Sequence, residues 1–329
     1  MIPTKIYKKY LALLLLTAIV GCSSSSPSMP LVQPKASRTT YATNGCGHTS
    51  PIAVGVSTPV TIPADPAISE GYHTRTFIVH VPSTYDIRHL YPVVLSFHGY
   101  GGHATDMDHS SGFSQLADIQ KFLAVYPQGL PDGKTGTPFW AHVGPIDYGI
   151  DEAAFVNTLL DTLQTRFCVD TQRIYATGFS NGGGMTNFLA CRLAKRIAAF
   201  APISGNFYAL PGGCHPGRPV AILDFHGTKD GVLPYMGIPV SKNAAWPLPP
   251  IPQWLQTWAN RNSCTRGPTI FLRQTNVTGE QWSSCKGNVT IIHYRIEGGG
   301  HTSPPAIRGQ SSAEVIWNFF QKYPYRDQM

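Results

Sequence analysis

The sequence predicts an α/β fold in which helices cover both faces of a mostly parallel sheet, in a single domain. From Thr76 onward, short runs rich in β-branched and aromatic residues alternate with helical stretches, the order in which parallel sheets are built. Several of these runs are almost continuously apolar, as strands covered on both faces must be. Hydrophobic residues make up 42% of the 329 residues, enough for a large core, and no internal repeat interrupts the pattern.

Seven strands and five helices are predicted. The strands are Thr76–Val81, Pro92–Phe97, Phe122–Tyr126, Arg173–Thr177, Ala199–Pro202, Val220–Phe225 and Thr290–Ile296. The helices are Ser114–Lys121, Asp151–Phe167, Gly182–Lys195, Pro252–Asn262 and Ser312–Lys322. Between the last two strands, Gly231 to Pro252 holds six prolines and is predicted to be a long loop or a small lid.

The N-terminus has the pattern of an export signal over residues 1–21. Three lysines precede about ten apolar residues, a run too short for a membrane span of about 20 residues. Residues 19–22, Ile-Val-Gly-Cys, also resemble a bacterial lipobox, in which Cys22 would be lipidated and become the new N-terminus. A plain signal peptide that happens to contain a cysteine is the alternative.

Residues 22–45 are rich in Ser, Pro and Thr and are predicted to form a flexible tether before a catalytic domain over residues 46–325. The formal net charge of +7 falls to +4 without the three signal-peptide lysines, too little to indicate a nucleic-acid partner. We therefore expect a secreted or extracytoplasmic lipoprotein that touches the membrane only through its lipid anchor.

The cysteines support export. Apart from Cys22 there are six, which suggests three disulfides, with buried free thiols as the alternative. The sequence contains no Cys-x-x-Cys pair, so a zinc site is not expected. Of the 15 connectivities that six cysteines allow, the sequence favours Cys264–Cys285, closing a short polar loop, and leaves the other four cysteines open: Cys46, Cys168, Cys191 and Cys214.

Ser180 is the candidate nucleophile. It lies in Gly178-Phe179-Ser180-Asn181-Gly182, directly after a predicted strand and directly before a predicted helix. This strand–turn–helix setting is what a G-x-S-x-G nucleophile elbow requires. The glycines are needed because a side chain at either position would collide with the neighbouring strand or helix.

A glycine-rich turn follows the strand Pro92–Phe97 and is the candidate oxyanion hole. We expect the backbone N–H of Tyr100 to be one donor and that of Asn181, which follows the nucleophile, to be the other. Each such donor contributes on the order of 3–4 kcal/mol to lowering the barrier. The ring of Tyr100 is also a candidate wall of the substrate pocket.

The remaining triad members are expected in loops after late strands. Asp230 follows the strand Val220–Phe225, and its rival Asp224 lies within that strand. His301 follows the last strand in a Gly-rich loop, and His226 is its competitor as base. The order Ser180, Asp230, His301 is that of α/β-type hydrolases. Such a triad cleaves an ester through an acyl-enzyme and needs no metal or organic cofactor.

Six stretches together resemble the secreted feruloyl esterases and the related polyhydroxybutyrate-depolymerase-type esterases of the α/β-hydrolase superfamily. They span about residues 46–320 and are His98–Gly102, Tyr126–Gly129, Cys168–Asp170, Gly178–Gly184, His226–Pro234 and Gly298–Pro304. The resemblance implies an α/β-hydrolase fold with the triad Ser180, Asp230 and His301. The cysteine layout looks most like that of fungal-type feruloyl esterases.

The resemblance implies a serine carboxylesterase that cleaves hydroxycinnamoyl esters from plant cell-wall polysaccharide. An aromatic acyl group needs a flat apolar slot, and Tyr100 and Trp140 are the residues expected to line it, with core packing as the alternative role. The alternative enzymes are a polyhydroxybutyrate depolymerase and an acetylxylan esterase. The alternative outside enzymes is a carbohydrate- or surface-binding protein on an inactive hydrolase fold.

Overall fold

A computed structural model describes residues 43–141, 143, 149–241 and 246–326. The described residues lie within one compact unit. The predicted signal peptide, Cys22 and most of the predicted tether lie outside the described residues. Within the described part of the chain, no helix is long and apolar enough to cross a membrane.

Twelve strands and six helices make up the described domain. The strands are β1 (Ser57–Pro63), β2 (Thr74–His80), β3 (Tyr91–Phe97), β4 (Leu123–Pro127), β5 (Leu130–Pro131), β6 (Pro138–Phe139), β7 (Val169–Phe179), β8 (Ala199–Ile203), β9 (Ala221–Gly227), β10 (Arg266–Gln274), β11 (Val277–Ser283) and β12 (Ile291–Ile296). The helices are α1 (Ala104–Ser110), α2 (Phe113–Gln120), α3 (Glu152–Arg166), α4 (Asn181–Arg192), α5 (Ile251–Arg261) and α6 (Ser312–Phe320), with short 3-10 turns at Pro66–Ile68 and Lys286–Asn288.

Ten of the strands form one sheet in the order β1-β2-β4-β3-β7-β8-β9-β12-β11-β10. The six central strands, from β4 to β12 in this order, are parallel to one another. An antiparallel pair closes each end of the sheet. The short strands β5 and β6 pair separately. Because the central strands are parallel, their carboxyl ends and the loops that follow them meet along one edge.

Side chains alternate between two hydrophobic cores, one on each face of the sheet. In β3, Val93 and Leu95 join the core built with α3, α4 and α5, whereas Val94 joins the core built with α2 and α6. The strands are apolar throughout because both of their faces are covered; every residue of β3 is buried. The predicted arrangement of helices on both faces is therefore confirmed.

All seven predicted strands and all five predicted helices are present, with ends that differ by a few residues. The strands that the sequence did not reveal are β1, β10, β11 and the two-residue pair β5 and β6. They lie at the ends of the main sheet or outside it, where one face meets solvent: in β10 only Leu272 is buried. Helix α1 was also missed, because its seven residues are mostly polar.

The six cysteines form three disulfides, as predicted: Cys46–Cys168, Cys191–Cys214 and Cys264–Cys285. The favoured pair Cys264–Cys285 is confirmed, but it does not close a polar loop. It closes the hairpin of β10 and β11. This hairpin lies at the end of the sheet, where β10 is mostly exposed and lacks the apolar run that predicts a buried strand. Disulfides of this kind persist in oxidising compartments, which agrees with export.

Candidate active site

Ser180 stands at the tip of a sharp turn between β7 and α4. Its backbone has φ +56° and ψ −117°, a strained conformation for a residue with a side chain. A Cβ added at Gly182 would overlap the carbonyl of Phe97, and one at Gly178 would overlap the carbonyl of Gly182. Both glycines are therefore required for the turn to pack against β3, which is the geometry of a nucleophile elbow.

The loops that carry Asp230 and His301 are joined by backbone hydrogen bonds. The N–H of Thr228 donates to the carbonyl of Ile296 at 2.9 Å, and the N–H of Lys229 donates to that of Gly299 at 2.8 Å. A Cβ at Gly227 would overlap the Gly299 carbonyl, so the close approach of the two loops requires glycine there. The two loops are thus held in one relative position before any substrate binds.

Asp230 and His301 are in contact. The Nδ1 of His301 lies 2.7 Å from Oδ2 of Asp230, whose side chain is fully buried. The other carboxylate oxygen, Oδ1, accepts hydrogen bonds from the N–H groups of Val232 and Leu233 at 2.9 and 2.8 Å. Because the carboxylate accepts from Nδ1–H, the Nε2 of His301 is left to act as a base.

His301 lies beside the elbow, with its ring 4.8 Å from the ring of Phe179, the residue before the nucleophile. Among the described residues, the hydroxyl of Ser180 makes no hydrogen bond to His301. Catalytic hydrogen bonds of this kind are often long in enzymes without substrate and tighten in the complex. The structure thus brings Asp230 and His301 together and places the histidine next to the nucleophile turn.

The two rival residues lie one layer deeper. Asp224 is fully buried within β9, and its Oδ2 is 2.8 Å from Nδ1 of His293 on β12. His226 is also fully buried, with Nε2 2.8 Å from the carbonyl oxygen of Leu233. Neither rival contacts His301 in the described structure, and Asp230 has the contact that a triad acid requires.

The turn after β3 approaches the nucleophile closely. A Cβ built at Gly99 would lie 3.3 Å from the Cβ of Ser180. Among the described residues, the backbone N–H groups of Tyr100 and Asn181 donate to no protein acceptor. Backbone N–H groups that are free of protein acceptors are what an oxyanion hole needs, so these two remain the candidate donors.

His98 fixes the conformation of this turn through two hydrogen bonds, a role that its position in the sequence does not indicate. Its Nδ1 donates to the carbonyl of Gly99 at 2.7 Å, and its Nε2 accepts from the N–H of Gly129 at 2.9 Å. Burial lowers the pKa of His98 from 6.5 to about 4, so the ring is neutral at neutral pH. Gly129 lies 31 residues after His98, so local sequence does not connect the two. The only sequence indication was the short motif Tyr126–Gly129.

Trp140 lies in the core instead of in a substrate slot. It is 1% exposed, its ring packs edge-on against Phe97 at 5.1 Å, and its Nε1 donates to the carbonyl of His98 at 2.8 Å. The side-chain oxygen of Asn181 accepts a hydrogen bond from the backbone N–H of Trp140 at 2.7 Å. Because the ring is buried and its indole N–H is hydrogen-bonded, we correct the expected role in lining the acyl slot. Trp140 instead stabilises the nucleophile elbow and the turn of residues 98–102, called the oxyanion turn below.

Tyr100 has the exposure that a pocket wall needs. Its side chain is 55% exposed, and its hydroxyl donates to Oδ2 of Asp132 at 3.4 Å, which limits the movement of the ring. The residue directly follows Gly99, which approaches Ser180, so its exposed ring remains a candidate wall of the site.

A cavity of about 550 Å³ between α4 and α5 is separate from this site. It reaches α4 at Asn187, seven residues after Ser180, which is about 10 Å along a helix. None of Ser180, Asp230 and His301 lines it. The acyl pocket is therefore not assigned to this cavity.

Comparison with known proteins agrees with this geometry. Residues 76–217 match the family model described as "Esterase PHB depolymerase". The chain is 30% identical over 254 residues to feruloyl esterase B of Piromyces equi, covering 76% of this chain and 45% of that protein. It is 28% identical over 330 residues to the probable feruloyl esterase C of Aspergillus clavatus, covering 97% and 99% of the two chains. The chain thus spans less than half of the first relative and nearly all of the second.

Among solved structures, the acetyl xylan esterase from Aspergillus awamori is similar in fold. The TM-score is 0.56 at 16% identity, over 80% of this chain and 99% of that one. At such low identity the likeness concerns the fold alone, and that fold is a parallel sheet with helices on both faces. The chain therefore has an α/β-hydrolase fold, and its sequence is similar to feruloyl esterases and to the family model described as "Esterase PHB depolymerase".

Proposed function

We propose that the chain is an exported serine carboxylesterase that cleaves hydroxycinnamoyl esters from plant cell-wall polysaccharide. The observation that carries the proposal is the 2.7 Å contact between Asp230 and His301 on two joined loops beside the elbow of Ser180. The choice of substrate is supported by the relative from Piromyces equi, which is named a feruloyl esterase.

In the proposed reaction, Nε2 of His301 removes the proton from the hydroxyl of Ser180 as its oxygen attacks the ester carbonyl. Asp230 keeps His301 in the required tautomer and stabilises the imidazolium. The tetrahedral oxyanion is bound by the N–H groups of Tyr100 and Asn181. The C–O bond then breaks, and His301 gives its proton to the departing sugar oxygen.

The second half returns the enzyme to its starting state. His301 removes a proton from water, whose oxygen attacks the carbonyl of the acyl-enzyme on Ser180. The same two N–H groups bind the second oxyanion. When the bond to Ser180 breaks, His301 returns a proton to the serine and the free carboxylic acid leaves. No oxidant, reductant or second substrate besides water is consumed.

Two other acyl groups fit the same triad. The family model is described by polyhydroxybutyrate depolymerase, and the similar solved structure is an acetyl xylan esterase. Both groups are smaller than a hydroxycinnamoyl group and need no aromatic wall. The exposed ring of Tyr100 is the observation that favours the aromatic acyl group; stacking adds about 0.5–1.5 kcal/mol beyond area burial.

A comparison of four substrates tests the proposal. Purified protein from residue 46 onward would be assayed on methyl ferulate, methyl p-coumarate, acetylated xylan and hydroxybutyrate oligomers. We expect kcat/KM to be at least about tenfold higher on the two aromatic esters, given ring stacking and burial. A preference for hydroxybutyrate or for acetyl groups would transfer the assignment to that ester. Absence of turnover on any activated short ester would support the binding-protein alternative.

Two variants distinguish the proposed substrate-lining role of Tyr100 from the structural role of Trp140. Tyr100→Ala should lower kcat/KM on methyl ferulate more than on an acetyl ester, because the backbone donor remains and only the ring is lost. Trp140→Ala should lower both activities to a similar extent, because the indole is buried against the oxyanion turn. A loss confined to methyl ferulate in Trp140→Ala would restore its role in the acyl slot.

We further propose that Cys22 is the lipid attachment site of a membrane-anchored form. The support is the lipobox-like sequence that ends at this cysteine. Wild-type cells should incorporate radiolabelled palmitate into the protein and retain it in the membrane fraction, whereas Cys22→Ala should prevent both. A wild-type chain that takes up no label would show that the signal peptide is an ordinary one.

A further inference from the structure

The turn after β9 that carries Asp230 is hydrogen-bonded to a buried histidine, His226, that the proposed reaction does not use. His226 is fully buried in β9, four residues before Asp230. Its Nε2 lies 2.8 Å from the carbonyl oxygen of Leu233 and 3.5 Å from Oδ2 of Asp230. Because a carbonyl only accepts hydrogen bonds, Nε2 carries the hydrogen and donates it to Leu233.

Leu233 is therefore held at both ends of its backbone. Its N–H donates to Oδ1 of Asp230 at 2.8 Å, and its carbonyl accepts from His226. The N–H of Val232 occupies the same Oδ1 at 2.9 Å. With Oδ1 bonded twice, Oδ2 is the oxygen left to face His301, and the carboxylate cannot rotate without breaking these contacts.

We infer that His226 is a positioning residue, which keeps the carboxylate of Asp230 aligned with His301 by fixing the 230–233 turn. The inference rests on the proposed triad and adds a residue to it that touches neither substrate nor nucleophile. It also gives a role to a buried polar side chain at the end of β9.

The surroundings of His226 favour its neutral form. Burial lowers the pKa of His226, so it remains a neutral donor at neutral pH. The titratable groups around it are Asp230 from the loop, Asp224 and His293, which are 2.8 Å apart, and Tyr235, whose ring is 6.0 Å from the His226 ring. Arg295 is its register partner on β12. Tyr235 contacts His293 at 3.0 Å. Lys229, at the start of the loop, is exposed.

Two substitutions test the role of the Nε2–H donor. His226→Leu keeps the size and removes the donor, whereas His226→Gln keeps an N–H donor. In the leucine variant we expect kcat to fall between about tenfold and a hundredfold with little change in KM, the cost of a misplaced catalytic group. The glutamine variant should recover most of the loss.

The pH profile separates positioning from a packing role. A carboxylate that is out of line stabilises the His301 imidazolium less, so the acid limb of kcat/KM should move to lower pH in the leucine variant. Tyr235→Phe is the matched control, because it removes the buried hydrogen bond to His293 and keeps both the ring beside His226 and the bonds of the 230–233 turn. It should lower the melting temperature and leave the acid limb in place.

The downfield proton resonance of the His301 Nδ1–H reports the same alignment without substrate. It should persist in the glutamine variant and broaden or vanish in the leucine variant. A leucine variant with wild-type kcat and acid limb would overturn the inference, as would equal losses in both variants with the limb unmoved. A wild-type protein without esterase activity would instead refute the proposed function, and the resonance would still test His226.

Discussion

At the scale of single residues, the candidate triad was predictable and its supporting residues were not. Ser180, Asp230 and His301 each stand at the end of an apolar strand beside glycines, a local pattern that can be found in the sequence. His98 and His226 act through hydrogen bonds to backbone groups: His98 to Gly99 and to Gly129 in another loop, and His226 to Leu233 seven residues further along the chain. Which backbone group each ring meets depends on how these loops fold, so residue type alone does not predict it.

Trp140 shows the limit of arguing from residue type. An aromatic residue near the end of a short strand is equally compatible with a substrate slot and with the core. The decision depends on whether both faces of the ring are covered, which is a property of the assembled fold. Asn181 is similar: its backbone position follows from the motif, but the hydrogen bond from Trp140 to its side chain does not.

The buried His98 predicts a specific pH dependence of stability. Its pKa is about 4 in the folded protein and about 6.5 in an unfolded chain. Between these values the unfolded state binds a proton that the folded state does not. The contribution of His98 to the free energy of unfolding is therefore fully present above pH 6.5. It is lost as the pH falls towards 4, and the total loss is about 3 kcal/mol.

Chemical denaturation at a series of pH values measures this loss. His98→Asn should be less stable at neutral pH, and its free energy of unfolding should fall less steeply between pH 6.5 and 4 than that of the wild type. His226 contributes with the same sign, so some slope should remain. Parallel slopes in the two proteins would show that His98 does not titrate as proposed.

At the scale of elements, predictability followed burial. The central strands are covered on both faces and read as apolar runs, and the helices show their periodicity. Most residues of β10 are exposed, and β10 and β11 both contain polar and turn-forming residues, so their sequence predicts a loop. The ion pair between Arg75 on β2 and Glu152 at the start of α3 also escaped notice, because the two residues are 77 positions apart.

This ion pair leads to a prediction about how β2 and α3 are held together. The two side chains are 2.8 Å apart and almost completely buried, and Arg75 also packs over the ring of Phe155 at 3.8 Å. Glu152→Gln leaves the guanidinium without a counter-charge, and we expect it to cost about 3–5 kcal/mol of stability. Thermal unfolding followed by circular dichroism measures the loss.

The exposed pair of Arg196 and Asp161, 2.7 Å apart, offers a control. Asp161→Asn should cost less than about 1 kcal/mol, because water screens the pair and solvates either charge alone. If Glu152→Gln unfolded no earlier than Asp161→Asn, the buried pair would not carry the stability assigned to it.

At the scale of the whole molecule, the fold class followed from the sequence, but the order of strands and two of the three disulfides did not. Parallel strands are joined by crossovers, so their order in the sheet is decided by three-dimensional packing. Cys46 and Cys168 are 122 residues apart and meet only because the start of the domain packs against the end of α3. The pair Cys264–Cys285 was preferred in advance because a short polar stretch with Asn276 and Gly279 lies between its cysteines.

The disulfides should contribute unequally to stability. In the chain-entropy account, closing a longer loop removes more freedom from the unfolded chain. Replacing Cys46 and Cys168 by alanine should therefore cost about 5 kcal/mol, against about 3 kcal/mol for Cys191 and Cys214, which are 23 residues apart. Denaturant unfolding of the two double variants gives both values. A larger loss for the shorter loop would contradict the loop-length explanation.

The central claim is that Ser180, activated by His301 and Asp230, forms a covalent acyl-enzyme. Reaction of the wild-type protein with a fluorophosphonate, followed by peptide mass spectrometry, tests it directly. We predict one phosphonate per chain, on the peptide that contains Ser180, with esterase activity lost in proportion to labelling. Ser180→Ala should take up no label, and His301→Ala should react several orders of magnitude more slowly. Labelling of a different residue, or esterase activity retained in Ser180→Ala, would contradict the account.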